Sequence, residues 1–206
     1  MPCWYYDREH LEAIDKNSSL DWRSLRRLRF EATRAIHECG QKLGINFDTC
    51  ATAVLYFQRF YTVNSFEKYD RYLVAAACIF LAGKVEETPK KSRNIIEAFK
   101  SRVSSQVFAN FGSNPKETLL ATEKVLISTL NFDFYVEHPY QYLIKFAKQI
   151  TNLDQKLMQK LVKVSWTFIN DSMTTTLCLE WEPDLIALSA LYLGSKVIKA
   201  EITEWE

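Results

Sequence analysis

The chain has 206 residues, enough for one large domain or for two compact units of roughly 100 residues each. Lys and Arg total 26 against 25 Asp and Glu, and the net charge of +1 excludes a global field that would draw the chain to nucleic acid or to an anionic membrane. Five Gly and five Pro beside 48% hydrophobic residues exclude disorder, collagen-like repeats and turn-rich all-β architecture, and point to an all-α fold.

Residues 1–10 contain no basic region followed by an apolar stretch, so no secretory signal is expected. The five cysteines, Cys3, Cys39, Cys50, Cys78 and Cys178, are odd in number and lack paired spacing, which predicts reduced intracellular core thiols. From Leu25 the apolar positions Leu28, Ala32, Ala35, Ile36, Cys39 and Leu43 follow steps of three and four, and Gly44 is placed to stop that helix. The neighbouring cations Arg23, Arg26, Arg27 and Arg29 read as its wet face rather than as a nucleic-acid site.

A second helix is expected near Asp48, with Cys50, Ala53, Val54, Phe57 and Tyr61 on one side. The third, from about Asp70, is apolar nearly throughout to Ala82 and must be central; at this length it falls short of the roughly 20 residues of a membrane span, so a soluble protein is expected. Thr88-Pro89 reads as N-cap and first position of a helix through Ile95, Ile96 and Phe99, and Asn114-Pro115-Lys116-Glu117 as a capping box opening another. Residues 101–114, rich in Ser, Asn and Gly, read as a surface loop. His138-Pro139 restarts the pattern, Asn152-Leu153-Asp154-Gln155 resembles a further capping box, and Pro183 opens an apolar helix through Val197.

Residues 56–85, laid without gaps on 168–197 at an offset of 112, match Thr62 with Thr174, Leu73 with Leu185, Ala75 with Ala187, Leu81 with Leu193 and Lys84-Val85 with Lys196-Val197. A period this long implies a domain duplication rather than a solenoid. The expected organisation is an N-terminal extension, 1–22, a first five-helix repeat, 23–135, and a second, 136–206, that looks incomplete, since its copy would run roughly 40 residues past Glu206 by the repeat logic.

His10, His37 and His138 are far apart and lack metal-ligand spacing, no Gly-rich phosphate loop or nucleophile elbow is present, and Glu86-Glu87 is a single acidic step expected to be solvated. No catalytic residue, metal or cofactor is therefore expected. Two charges instead occupy positions where the helical stripe calls for apolar residues. Lys84 continues Val74, Ala77 and Leu81, while Glu123 lies between Leu120 and Ile127. An isolated buried charge is costly, so the two are expected to pair across two helices of one unit; the alternative is two separate side chains snorkelling at helix ends.

The run Phe80-Leu81-Ala82-Gly83-Lys84-Val85-Glu86-Glu87-Thr88-Pro89-Lys90-Lys91, with Glu123 in the fifth helix, resembles the cyclin box. The resemblance continues in Tyr56-Phe57-Gln58-Arg59-Phe60-Tyr61, Leu130-Asn131-Phe132-Asp133-Phe134 and Val136-Glu137-His138-Pro139-Tyr140, and these segments look like those of the transcription cyclins. It implies a nuclear, non-catalytic subunit that pairs with a cyclin-dependent kinase as a heterodimer and activates it, acting indirectly on the C-terminal repeats of RNA polymerase II without binding nucleic acid or membrane itself. It also implies that Lys84 and Glu123 anchor the kinase's regulatory helix, with Leu81, Val85, Ile127, Phe132 and Phe134 as apolar contact positions. Where cell-cycle cyclins carry an apolar docking patch, the chain reads Leu28-Arg29-Phe30-Glu31-Ala32, and Glu31 is expected to prevent docking of short basic-apolar substrate motifs. Two other classes are weighed. A cyclin-fold transcription-initiation scaffold needs a basic DNA-contacting face, and a helical-bundle enzyme needs inward His, Glu or Cys clusters; the sequence supplies neither.

Overall fold

The computed structural model describes residues 4–16 and 18–203. Cys3 lies outside the described residues. The chain divides into two compact units, 1–136 and 137–206. In the first unit the α-helices are α1 (Arg8–Lys16), α2 (Trp22–Lys42), α3 (Phe47–Val63), α4 (Arg71–Val85), α5 (Ser92–Arg102), α6 (Ser105–Phe108) and α7 (Pro115–Thr129), and in the second α8 (Pro139–Gln149), α9 (Gln155–Ser172) and α10 (Pro183–Ile198). Among the described residues no helix is long and apolar enough to cross a membrane.

In the first unit α4 is the central rod. Its N-cap, Asp70, accepts hydrogen bonds from the amides of Tyr72 and Leu73, satisfying donors that the first turn leaves without partners. Beyond the cap α4 is almost wholly apolar, because α2, α3, α5 and α7 pack around it. Small side chains set the spacing: Ala75, Ala76, Ala77 and Cys78 are fully buried, and Gly40 of α2 lies so close to Cys50 of α3 that an added Cβ would fall 2.3 Å from its sulfur. Burial pushes the Cys39 and Cys50 thiols up to about 11, and Cys78 well above its ordinary value, so these groups stay protonated and inert.

In the second unit α10 packs on α8 and α9. Gly194 meets Ser165 and Leu161 of α9 closely enough that an added Cβ would fall 2.4 Å from the Ser165 hydroxyl. The offset of 112 residues seen in the sequence reappears in the backbone. α4 and α10 begin at Arg71 and Pro183, and a left-handed residue follows each, Glu87 at φ 54° two residues after α4 and Lys199 at φ 56° directly after α10. The next amides, of Thr88 and Ala200, close back on the carbonyls of Gly83 at 2.8 Å and Ser195 at 2.9 Å. Start, stop and closing bond thus share one register, which is compatible with a duplicated helix pair.

Several expectations are corrected. Pro89 does not open α5: residues after Val85 are occupied in closing α4 through the Thr88 amide, and the absent Cβ of Gly83 leaves room for the Thr88 carbonyl, so α5 starts at Ser92 behind Lys91. Asn152 does not cap α9: its side-chain amide donates to the Glu201 carbonyl, and Asp154 accepts from the Leu157 amide at 2.7 Å instead. The segment 101–114 holds α6 and a 3-10 turn, Ala109–Phe111, drawn in by Phe111, which is fully buried against Phe108 and Phe99. Arg29 is no part of a wet face: it is 5% exposed, donates to Gln58 at 2.8 Å and lies over the Phe66 ring. Trp4 and Leu11, ahead of α2, are buried within the first unit.

Candidate functional site

The last turn of α4, the middle of α7 and the chain that follows α7 form one surface of the first unit. Lys84 sits in the last turn of α4, where a cation opposes the negative end of the helix. Its Nζ lies 2.6 Å from Glu123 Oε1 on α7 and 4.0 Å above the Phe80 ring, one turn back. The pair is asymmetric: the Glu123 side chain is 7% exposed, that of Lys84 46%. The expected interhelical pair is present, and the alternative of two separate snorkelling side chains is not: the lysine's ammonium reaches both the buried carboxylate and water.

Around this pair the apolar residues rise to the surface in order. Leu81 is 3% exposed and lies beneath. Val85, Ile127 and Phe134 are partly exposed, and Phe132 projects with 73% of its surface open. Ile127 stands one turn from Glu123 on the same face of α7. The Phe132 amide donates to the Ile127 carbonyl at 3.3 Å, and the Phe132 and Phe134 rings are 6.1 Å apart.

Phe132 is displayed at a conformational cost. After α7 both Asn131, at φ 50°, and Phe132, at φ 59°, are left-handed. Asn tolerates this region, whereas for a bulky side chain it costs on the order of 1–3 kcal/mol and persists only when the surroundings enforce it. The enforcing groups come from α3. The Tyr56 hydroxyl donates to the Phe134 carbonyl at 2.7 Å, and Arg59 donates to the carbonyls of Tyr135 at 3.2 Å and Asp133 at 3.5 Å. Burial, with the Glu86 charge adding to it, holds the Tyr56 hydroxyl far above its ordinary range, so it remains a donor. Neither role is visible in the one-dimensional pattern: Tyr56 and Arg59 sit in an α3 stretch that is buried almost all round, so helical spacing gives no cue to their partners about 75 residues away.

Glu86, expected to be solvated, accepts from the Thr52 hydroxyl at 2.8 Å; Glu87 is exposed. Glu31 is held by Arg27 at 2.8 Å and Arg71 at 2.9 Å; burial alone would raise its pKa, but these guanidinium groups hold it below its ordinary value. His37 is stacked on Phe47 and His10 on Tyr6. Among the described residues no three His, Cys, Asp or Glu side chains are grouped to hold a metal ion.

Residues 3–135 match the family description "Cyclin, N-terminal domain", and the chain belongs to the cyclin family. It is 46% identical over 204 residues to Cyclin-K of Danio rerio and 46% identical over 205 residues to Cyclin-K of Homo sapiens, each time across 99% of its own length. It spans 48% of the zebrafish relative and 35% of the human one. A chain of the solved structure "Crystal Structure of the yeast RNA Pol II CTD kinase CTDK-1 complex" shares the fold with a TM-score of 0.79 at 23% identity, over 98% of this chain and 64% of that one.

Proposed function

We propose that this chain binds a cyclin-dependent kinase and activates it, contributing no reacting group of its own, and that the kinase is one that phosphorylates the C-terminal repeats of RNA polymerase II in the nucleus. The observation that carries the reading is Phe132: a 73% exposed aromatic ring held in left-handed backbone beside a half-open lysine and partly exposed Val85 and Ile127. Such a surface gains free energy when a partner covers it, and aromatic side chains supply much of the binding energy of protein interfaces. Family membership and the 46% identity to the Cyclin-K proteins support a kinase as that partner.

In this reading Lys84, with Glu123 behind it, presents directed hydrogen-bond donors to the backbone before the kinase's regulatory helix, while Val85, Ile127, Phe132 and Phe134 take its apolar side. Leu81 supports them from below. Activation is a population shift. The cyclin surface binds the inward position of that helix better than the outward one, and in that position the kinase's Lys-Glu ion pair forms and its phosphate-binding geometry is complete. Converting a kinase from about 1% to 99% active requires roughly a 10⁴-fold preference for the inward state, which a rigid surface delivers and a flexible one does not.

The test is phosphorylation of an RNA polymerase II C-terminal-repeat peptide by the catalytic domain of a transcription-elongation cyclin-dependent kinase, alone, with this chain, and with Lys84→Glu. The chain is expected to stimulate the kinase, and a folded Lys84→Glu variant to lose at least about tenfold in apparent affinity, since it sets two carboxylates against each other at the contact. Undiminished stimulation by that variant would remove Lys84 from the interface.

A further inference from the structure

We propose that Trp4 is a positioning residue for the Phe132 surface: an aromatic latch from the N-terminal segment that fixes Asp133 and with it the display of the two flanking phenylalanines. The inference rests on the kinase-binding reading above and adds the element that keeps the docking surface in shape.

Trp4 precedes α1 and belongs to no helix, yet it is only 7% exposed. Its indole Nε1 donates to Asp133 Oδ2 at 2.9 Å, across 129 residues of sequence. Its ring carries the Arg59 guanidinium at 5.1 Å, the same guanidinium that donates to the carbonyls of Asp133 and Tyr135. One aromatic residue thus touches the side chain of Asp133 directly and packs on the group that holds the backbone on either side of Phe134. Asp133 stands between Phe132 and Phe134, and its own amide closes on the Leu130 carbonyl at 2.9 Å, completing the left-handed turn.

The geometry explains why a strained turn keeps one shape. A side-chain anchor on Asp133 and carbonyl anchors on Asp133, Phe134 and Tyr135 hold the backbone that follows Phe132. The carbonyl anchors come from α3, which is buried and rigid. The side-chain anchor comes from a segment outside any helix and is one hydrogen bond, so its loss is expected to loosen the docking turn before it unfolds the unit.

Two variants separate the latch from general packing. Trp4→Phe keeps a ring under Arg59 and removes the indole donor; Asp133→Asn keeps an acceptor for it. Hydrogen exchange of the Phe132 and Asp133 amides, read on the whole chain without kinase, is expected to rise by roughly tenfold in Trp4→Phe and to stay within about threefold of wild type in Asp133→Asn. Titrated into the kinase assay, Trp4→Phe is expected to raise the half-saturating concentration by roughly tenfold and leave the plateau activity near wild type. Unchanged exchange in Trp4→Phe overturns the latch. Increased exchange with an unchanged half-saturating concentration overturns its role in docking. Failure of the wild-type chain to stimulate the kinase overturns the kinase-binding reading instead, and the exchange measurement still decides the latch.

Discussion

At the scale of single residues, the balance between Lys84 and Glu123 is set by unequal solvation. Glu123 is buried, so the cost of truncating Lys84 is chiefly that of a carboxylate left without its partner, while water at the half-exposed ammonium weakens the pair below a fully buried one. Lys84→Ala is therefore expected to destabilise the chain by about 1–3 kcal/mol in urea unfolding, and Glu123→Gln by less, since the amide still accepts the lysine's hydrogen bond; equal losses would mean that the Coulombic part dominates. His37 makes the opposite kind of prediction. Burial against Phe47 pulls it below its ordinary value of 6.5, so the unfolded chain binds the proton more readily. The His37 contribution is then fully present above pH 6.5 and is lost as pH falls below that value toward the folded one. Melting temperatures between pH 7.5 and 5.5 are expected to fall, and His37→Phe to flatten that fall; an unaltered slope would assign it to other groups.

At the scale of elements, what each helix could do was decided by its ends and by its smallest residues. Asn114 with Pro115, Asp70, Asp154 and Pro183 start helices in the structure as their residue types dictate. At the two starts that sequence misplaced, the expected capping residues face other partners: the Thr88 hydroxyl pairs with that of Thr49 while its amide closes α4, and Asn152 turns its side-chain amide to the Glu201 carbonyl. Local pattern carries no record of such competition. In the second unit, the α9–α10 crossing depends on Gly194 lying against Ser165, whose buried hydroxyl has no hydrogen-bond partner among the described residues. Gly194→Ala is expected to cost about 1–3 kcal/mol through overpacking, and Ser165→Ala, harmless alone, to recover part of that loss in the double variant. A purely additive pair, measured by thermal or urea unfolding, would mean that the two helices do not approach as closely as the structure shows.

At the scale of the whole molecule, the net charge is near zero and the sequence matches itself at an offset of 112 residues. The +1 charge leaves no long-range field, so recognition by the proposed surface would depend on contact shape and on the few charges fixed within it, Lys84 among them. α4 and α10 share a register from first residue to left-handed stop, although Asp70 caps α4 with its side chain and Glu182 makes no such bond to α10. Around α4 four helices complete the packing, while α10 is packed by two and leaves Tyr192 and Val197 exposed where Phe80 and Val85 stand in the first unit.

The sequence by itself determined the helical class, the central position of α4, the caps that no other segment contests, and the pairing of Lys84 with Glu123, because all of these follow from periodicity and from the cost of an unpartnered charge in a helix interface. Only the tertiary structure decided that Leu81 lies beneath the surface while Phe132 stands out of it, that Arg29 is buried, and that Trp4, Tyr56 and Arg59 hold the turn after α7. Those outcomes depend on which groups from distant positions arrive at one place and compete for the same hydrogen-bond partners, and a one-dimensional pattern contains the residues for that competition but not its result.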